Sequence, residues 1–224
     1  MEGKLIVIEG LDGSGKKTQT KFLYDYIKNI NPNTHYISFP DYDSPSSSII
    51  KMYLHSEFGN NPSSVNAYAA SSFFAVDRFV SYKKTWSDLY QSGYIIIADR
   101  YTTSNAIYQM SKLSEGEWNK YLSWLYDHEY NKLGLPRPDK VIFLDVPIEI
   151  SQVLMEERYS KGNGEKDLHE SNIKFLEKCK KASKYVADFD NWYTINCVSN
   201  GKIKDKDYIH KEILDALPKE MFLI

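Results

Sequence analysis

Cysteine is scarce, with only Cys179 and Cys197 in 224 residues. So few thiols build no disulfide framework; they predict free, reduced side chains and a cytoplasmic location. Long hydrophobic runs are missing as well. The first apolar stretch, Leu5-Ile6-Val7-Ile8, is too short for a signal-peptide core or a membrane span, so no membrane partner is expected. An excess of basic charge is also lacking, the formal net charge being -2. Proteins that wrap a nucleic-acid polymer are usually clearly basic, which disfavours that partner. A small anion remains open, because it needs only a local cluster of cations. No repeat, low-complexity tract or interdomain linker stands out. What is there is a globular composition, 42% hydrophobic and 26% charged. The length fits one α/β domain over residues 1–224.

Short apolar runs predict strands at Leu5 to Ile8, Tyr94 to Ala98 and Val141 to Leu144, with weaker ones at Tyr193 to Ile195 and His35 to Phe39. Continuous apolar runs suit strands buried on both faces of a parallel sheet. Longer helical stretches alternate with them, so a doubly wound α/β fold with five parallel strands is expected. Asn61-Pro62 predicts the start of a long helix through Ala67, Phe74, Arg78 and Trp86 that stops near Gly93. Ser114 and Glu117 have capping-box spacing for a helix through Trp118, Leu122 and Leu125, ended by Gly134 and Pro136. Pro147 opens another helix, and the glycine-containing stretch from Tyr159 to Lys166 reads as a loop between helices.

The sharpest motif is Gly10-Leu11-Asp12-Gly13-Ser14-Gly15-Lys16-Lys17-Thr18, directly after the first strand and before a helix holding Phe22, Leu23, Tyr26 and Ile27. A glycine-rich turn there lets backbone N–H groups close around phosphate oxygens, assisted by the helix dipole. Lys16 would reach the β- and γ-phosphates of ATP. A bare match arises by chance in roughly one chain in fifteen of this length; the strand before it and the helix after it argue against an incidental turn. One position departs from the pattern. The residue after Lys16 should carry a hydroxyl for Mg²⁺, and here it is Lys17. Thr18 lies one residue late, about 100° round the helix, and does not substitute simply.

Three further clusters are candidates. Asp99-Arg100-Tyr101 follows the strand ending at Ala98, where open parallel sheets place ligands. An acid and an arginine there suit Mg²⁺ and a transferring phosphoryl group, although a surface ion pair would look the same. Phe74 and Arg78 are four apart and share a helix face, which fits a nucleobase and a phosphate, or simply a core ring and a solvated cation. Arg158, Lys161 and Lys166 flank a candidate lid over about residues 158–168 that could bring cations to the transferring charge, or be a solvated loop.

Together these residues resemble the thymidylate kinase family across nearly the whole chain. The match runs through Glu9 to Lys16, Phe39-Pro40-Asp41-Tyr42, the Phe74 to Arg78 spacing, Asp99-Arg100-Tyr101 with Ser104 and Asn105, and Leu144 to Pro147. The resemblance implies a P-loop NTPase-type fold with a short lid, and ATP with Mg²⁺ as donor and cofactor. It implies a thymidylate (dTMP) site in which Phe74 stacks on thymine and Arg78 and Arg100 bind the monophosphate. Ser104, Asn105 and Tyr108 line the thymine pocket, with Asp12, Phe39 and Tyr42 alongside. Asp12 and Asp99 are the expected organisers of the metal. Family members carry either arginine or glycine in the phosphate loop, and the second kind supply catalytic cations from the lid. Gly13 places this chain with the second kind. Asp167-Leu168-His169-Glu170 resembles the motif at the lid's end, but Leu168 replaces its arginine, which leaves Arg158 and Lys161 as the lid cations. A homodimer is implied too, with Tyr68 and Trp118 on its face.

The reaction implied is ATP plus dTMP giving ADP and dTDP, catalysed by Asp12, Lys16, Asp99, Arg100, Arg158 and Lys161. Three rivals stay open: a deoxynucleoside kinase, a kinase for another monophosphate, and a nucleotide-binding regulatory protein that has lost catalysis.

Overall fold

A computed structural model describes residues 2–160 and 167–222. The five apolar runs become β1 (Lys4–Gly10), β2 (Thr34–Ser38), β3 (Ile95–Asp99), β4 (Lys140–Asp145) and β5 (Tyr193–Asn196). They form one parallel sheet in the order β2-β3-β1-β4-β5. Nine α-helices stand among the described residues. They are α1 (Lys16–Ile30), α2 (Ser48–Leu54), α3 (Ala67–Ser81), α4 (Ser87–Gln91), α5 (Thr102–Tyr108), α6 (Trp118–Tyr126), α7 (Ile148–Ser160), α8 (Ile173–Phe189) and α9 (Lys206–Asp215). A small antiparallel pair, Val198–Ser199 with Lys202–Ile203, precedes α9. None of these helices is long and apolar enough to cross a membrane.

The strands read as unbroken apolar runs because both faces are covered. Alternate residues divide between two cores: Leu5, Val7, Ile96, Ala98, Val141 and Phe143 on one side, Ile6, Ile8, Ile95, Ile97, Ile142 and Leu144 on the other. Leu5 to Ile8 are all 0% exposed, and each such side chain contributes roughly 1.5–3 kcal/mol of burial. Register then positions the site. Ile8 lies opposite Asp99 and Gly10 opposite Leu144, so the loop after β1 and the turn after β3 emerge side by side.

Two expectations need correction. The helix expected from Asn61 does not start there. Asn61 caps only a short turn, Pro62–Ser64, by accepting from Ser63 N–H; Val65 is extended, and the side chain of Asn66 starts α3 by accepting from Ala69 N–H at 2.9 Å. A second capping asparagine so close to the first decides the boundary. The helix then widens into a π-turn over Tyr82–Trp86 before α4, and Gly93 at φ 88° ends it. The capping box of Ser114 and Glu117 forms as expected, ahead of α6. The second correction concerns Trp118. It is only 4% exposed and packs its ring edge on Tyr185, so it belongs to the interior of the chain rather than to a face for a second copy. Tyr68 is half-buried and packs against Tyr121 and Trp124.

Candidate active site

Gly10 ends β1, Lys16 begins α1, and Gly15 takes the N-cap position at φ 79° with no side chain capping the helix. The first amides of α1 are thus left for an anion. Gly13, at φ 76°, is required twice over: a Cβ there would also stand 2.4 Å from the carbonyl oxygen of Ser151 on α7. An arginine at this position would force α7 to move. Lys16 is buried, its Nζ donating to Leu11 O at 3.1 Å and lying 3.4 Å from Asp12 Oδ1. Burial and then the charge of Arg100 lower its proton affinity, against Asp12, Asp99 and Glu9, which raise it. Lys17 and Thr18 are exposed.

Beside this loop opens a cavity. Every residue expected in the acceptor site lines it: Asp12, Phe39, Tyr42, Phe74, Arg78, Arg100, Ser104, Asn105 and Tyr108. Asp12 also touches Lys16, so the loop and the cavity share a carboxylate. Arg100 sits in the left-handed region at φ 64°, a strained conformation for a side chain of its size and one that recurs at functional sites. Its guanidinium pairs with Asp12, lies 3.7 Å from Glu9 Oε1, donates to Ser104 Oγ at 3.2 Å and stacks over the Tyr108 ring at 5.2 Å. Burial alone would push the Asp12 carboxyl up. Arg100, Lys16 and the Tyr108 hydroxyl outweigh it and hold the group well below the usual carboxylate range.

Arg78 departs from expectation. It is neither solvated nor a free cation. Its Nε and Nη2 donate to the two carboxylate oxygens of Glu129, each at 2.6 Å, in a pair whose side chains are 2% and 0% exposed. Glu129 also accepts from Thr102 at 2.7 Å and from Asn105 at 3.1 Å. A bidentate buried pair neutralises the guanidinium, whose Nη1 donates to Tyr101 O at 3.4 Å, and Arg78 lines the cavity in this paired state.

Several residues of the site had no role assigned from the sequence. Glu9, buried at the end of β1, accepts from Gly10 N–H, Thr103 and Ser104, and thereby fixes the turn that carries Arg100. Its signal in the sequence was its place at the head of the Glu9 to Lys16 stretch that resembles the family's phosphate loop. Glu129 had none, because it reaches Arg78 across 51 residues. Gln109, Asp167 and His169 line the cavity as well. Burial, then Asp12 and Glu170, push the Asp167 carboxyl up to about 7.

On the lid side, Arg158 donates to Glu170 at 2.8 Å, and its side chain is 44% exposed. Lys161 and Lys166, with the rest of 161–166, lie outside the described residues. Leu168, where the motif has arginine, is buried against Ile50, Tyr53, Leu54 and Ala70.

For a metal, no cluster of three or more His, Cys, Asp or Glu stands ready among the described residues. Asp12 is a weaker candidate than expected: Arg100 and Lys16 occupy its Oδ1 and Tyr108 its Oδ2. Asp99 fits better. Its Oδ1 is buried without a partner, as is Ser14 Oγ in the loop. An unpartnered carboxylate oxygen such as that of Asp99 suits Mg²⁺, which usually completes its shell with substrate phosphates and water.

Comparison with known proteins agrees with this geometry. A family model described as thymidylate kinase matches residues 8–212. The chain is 31% identical to a thymidylate kinase of Plasmodium falciparum over 221 residues, covering 97% of this chain and 91% of that one. It is 36% identical to one of Mycobacterium tuberculosis over 148 residues, 66% of this chain and 68% of the relative. The solved thymidylate kinase of Candida albicans superposes with a TM-score of 0.71 at 25% identity, covering 99% of this chain and 93% of that one.

Proposed function

The chain belongs to the thymidylate kinase family, and from that premise we propose how its residues share the transfer of a phosphoryl group from ATP to dTMP. The enzyme phosphorylates dTMP to dTDP. The observation that carries the division of labour is the shared Asp12. It contacts Lys16 in the phosphate loop and Arg100 in the cavity, so the two phosphates meet between those cations.

Lys16 and the open amides of α1 take the ATP phosphates. Arg100 takes the acceptor phosphate and offsets its repulsion from the γ-phosphate. Phe74 stacks on the base. Arg78, already neutralised by Glu129, suits a neutral carbonyl edge better than a phosphate, so with Asn105 it reads the pyrimidine. Arg158 is the donor-side lid cation, and Lys161 is carried beside it by resemblance alone. The acceptor oxygen is already anionic, so no general base is needed and catalysis is positioning plus charge stabilisation. This also separates the enzyme from a deoxynucleoside kinase. An uncharged hydroxyl has no use for the Arg100 guanidinium that lines the cavity, whereas an acceptor phosphate needs such a cation. Asp99 would hold Mg²⁺ with the ATP phosphates, where the metal would supply further neutralisation of their charge. Homodimeric assembly and a cytoplasmic location belong to the same proposal.

The test is turnover across a panel of nucleosides and monophosphates with ATP and Mg²⁺. We expect dTMP to react, dUMP to react more slowly and thymidine to be inert. Equal turnover of thymidine overturns the monophosphate reading, and a strong preference for UMP or AMP overturns the thymidylate assignment.

A further inference from the structure

The turn Asp167 to Glu170 joins Arg158, at the end of α7, to the acceptor cavity. Glu170, 7% exposed, accepts from Arg158 at 2.8 Å through Oε1. Its Oε2 accepts from the Tyr159 hydroxyl and from Asp167 N–H, the latter at 3.2 Å. One carboxylate therefore grips the end of α7 and the turn itself. The next residue back, His169, faces the acceptor cavity. Its ring stacks on Tyr108 at 5.4 Å and 14°, and its Nε2 lies 2.8 Å from the Tyr53 hydroxyl. Lys112 donates to that same hydroxyl at 2.9 Å. Tyr108 in turn donates to Asp12 and lies under Arg100.

The turn between these contacts is stiff. Asp167 Oδ1 accepts from the N–H of His169 at 2.8 Å and of Glu170 at 2.9 Å. Leu168 N–H donates to Leu54 O at 3.1 Å while its side chain enters the core. Burial, Lys112 and Arg100 push the His169 pKa down to about 3, against Asp12, which raises it. The ring that meets Tyr108 is therefore neutral, and its contact is packing rather than charge. A shift of Tyr108 on filling of the cavity reaches Glu170 through direct contacts only.

We propose that Glu170 is a positioning residue for phosphoryl transfer, which sets the place of Arg158 and, through the turn that also carries His169, ties that place to the filling of the acceptor cavity. This rests on the reading of Arg158 as a donor-side cation.

The experiment is a double-mutant cycle in the full chain with Arg158→Ala, Glu170→Gln and the two combined, read as kcat and as KM for dTMP. If Glu170 acts through Arg158, Glu170→Gln lowers kcat by about tenfold and leaves KM within about twofold. The combined variant is then no slower than Arg158→Ala alone. Losses that multiply overturn the proposal. Native turnover in Arg158→Ala removes the role given to Arg158, and this inference with it, while leaving dTMP phosphorylation intact. The second arm measures binding of a non-hydrolysable ATP analogue with and without dTMP. Tightening by dTMP is expected in the native chain and lost in both Glu170→Gln and His169→Leu. Tightening that survives in either variant overturns the link to the cavity. Unfolding midpoints without ligand check that each variant is folded, and His169→Leu carries the second arm should Glu170→Gln be unstable.

Discussion

The phosphate loop and the acceptor cavity lie side by side and share Asp12, yet they are held by different means. The loop is nine consecutive residues whose working groups are mostly backbone amides, shaped by Gly13 and Gly15 at positive φ. The cavity draws on the stretch after β2, on α3, on α5 and on the turn at 167–170, and its working groups are side chains fixed by partners far away in the chain. On the proposed reading the loop takes what all triphosphates have in common, through its backbone. On the same reading the cavity takes one base, and its shape depends on the rest of the fold being in place.

The largest test of this contrast is Glu129→Ala. It strands the Arg78 guanidinium without compensation in a site 1% exposed, which should cost about 3–5 kcal/mol of stability. Denaturant unfolding measures it, with Lys16→Ala as the reference that should leave stability nearly unchanged. Equal stability of the two variants would break the comparison.

Next comes Phe74→Ala. Loss of base stacking should weaken dTMP binding by ~1–3 kcal/mol and leave ATP binding alone. Calorimetric titration of each ligand separately checks this. Equal loss for both ligands, or unfolding with unchanged dTMP affinity in the folded fraction, returns Phe74 to a role in the core with Tyr53.

Within the loop, Lys17→Thr restores a hydroxyl where the motif calls for one. A Mg²⁺ titration of turnover should show tighter apparent metal affinity, by about 1 kcal/mol. Superimposable curves would put position 17 outside the metal's reach. A native chain without turnover, revived by Lys17→Thr, would mark the native protein as a degenerate kinase.

The smallest effect concerns Asp167. Its folded pKa, about 7, stands above the ordinary 3.8 because of burial and the nearby Asp12 and Glu170. Between those values the folded state binds the proton more tightly. The stability this contributes is therefore complete below pH 3.8 and is lost as pH rises through about 7. Thermal unfolding of Asp167→Asn should decline less over that window than the native chain does. Parallel profiles would place the carboxyl in ordinary solvent.

The five strands, the phosphate loop and the turn after β3 were legible in the sequence because their causes are local. Apolar runs such as Leu5 to Ile8 announce burial by themselves, and a glycine-rich turn between strand and helix carries its chemistry in its own backbone. Even the boundary missed at Asn61 was a local competition between two capping asparagines. What only the tertiary structure decided are pairings across long stretches of chain. Spacing could put Phe74 and Arg78 on one helix face, but it could not say that Glu129 waits 51 residues on to neutralise the guanidinium. Nor could it say that Trp118 turns inward, or that His169 lies flat on Tyr108. The physical reason is that charge and stacking act through space over a few ångströms, and which side chains come that close is settled by sheet register and helix packing, not by distance along the sequence.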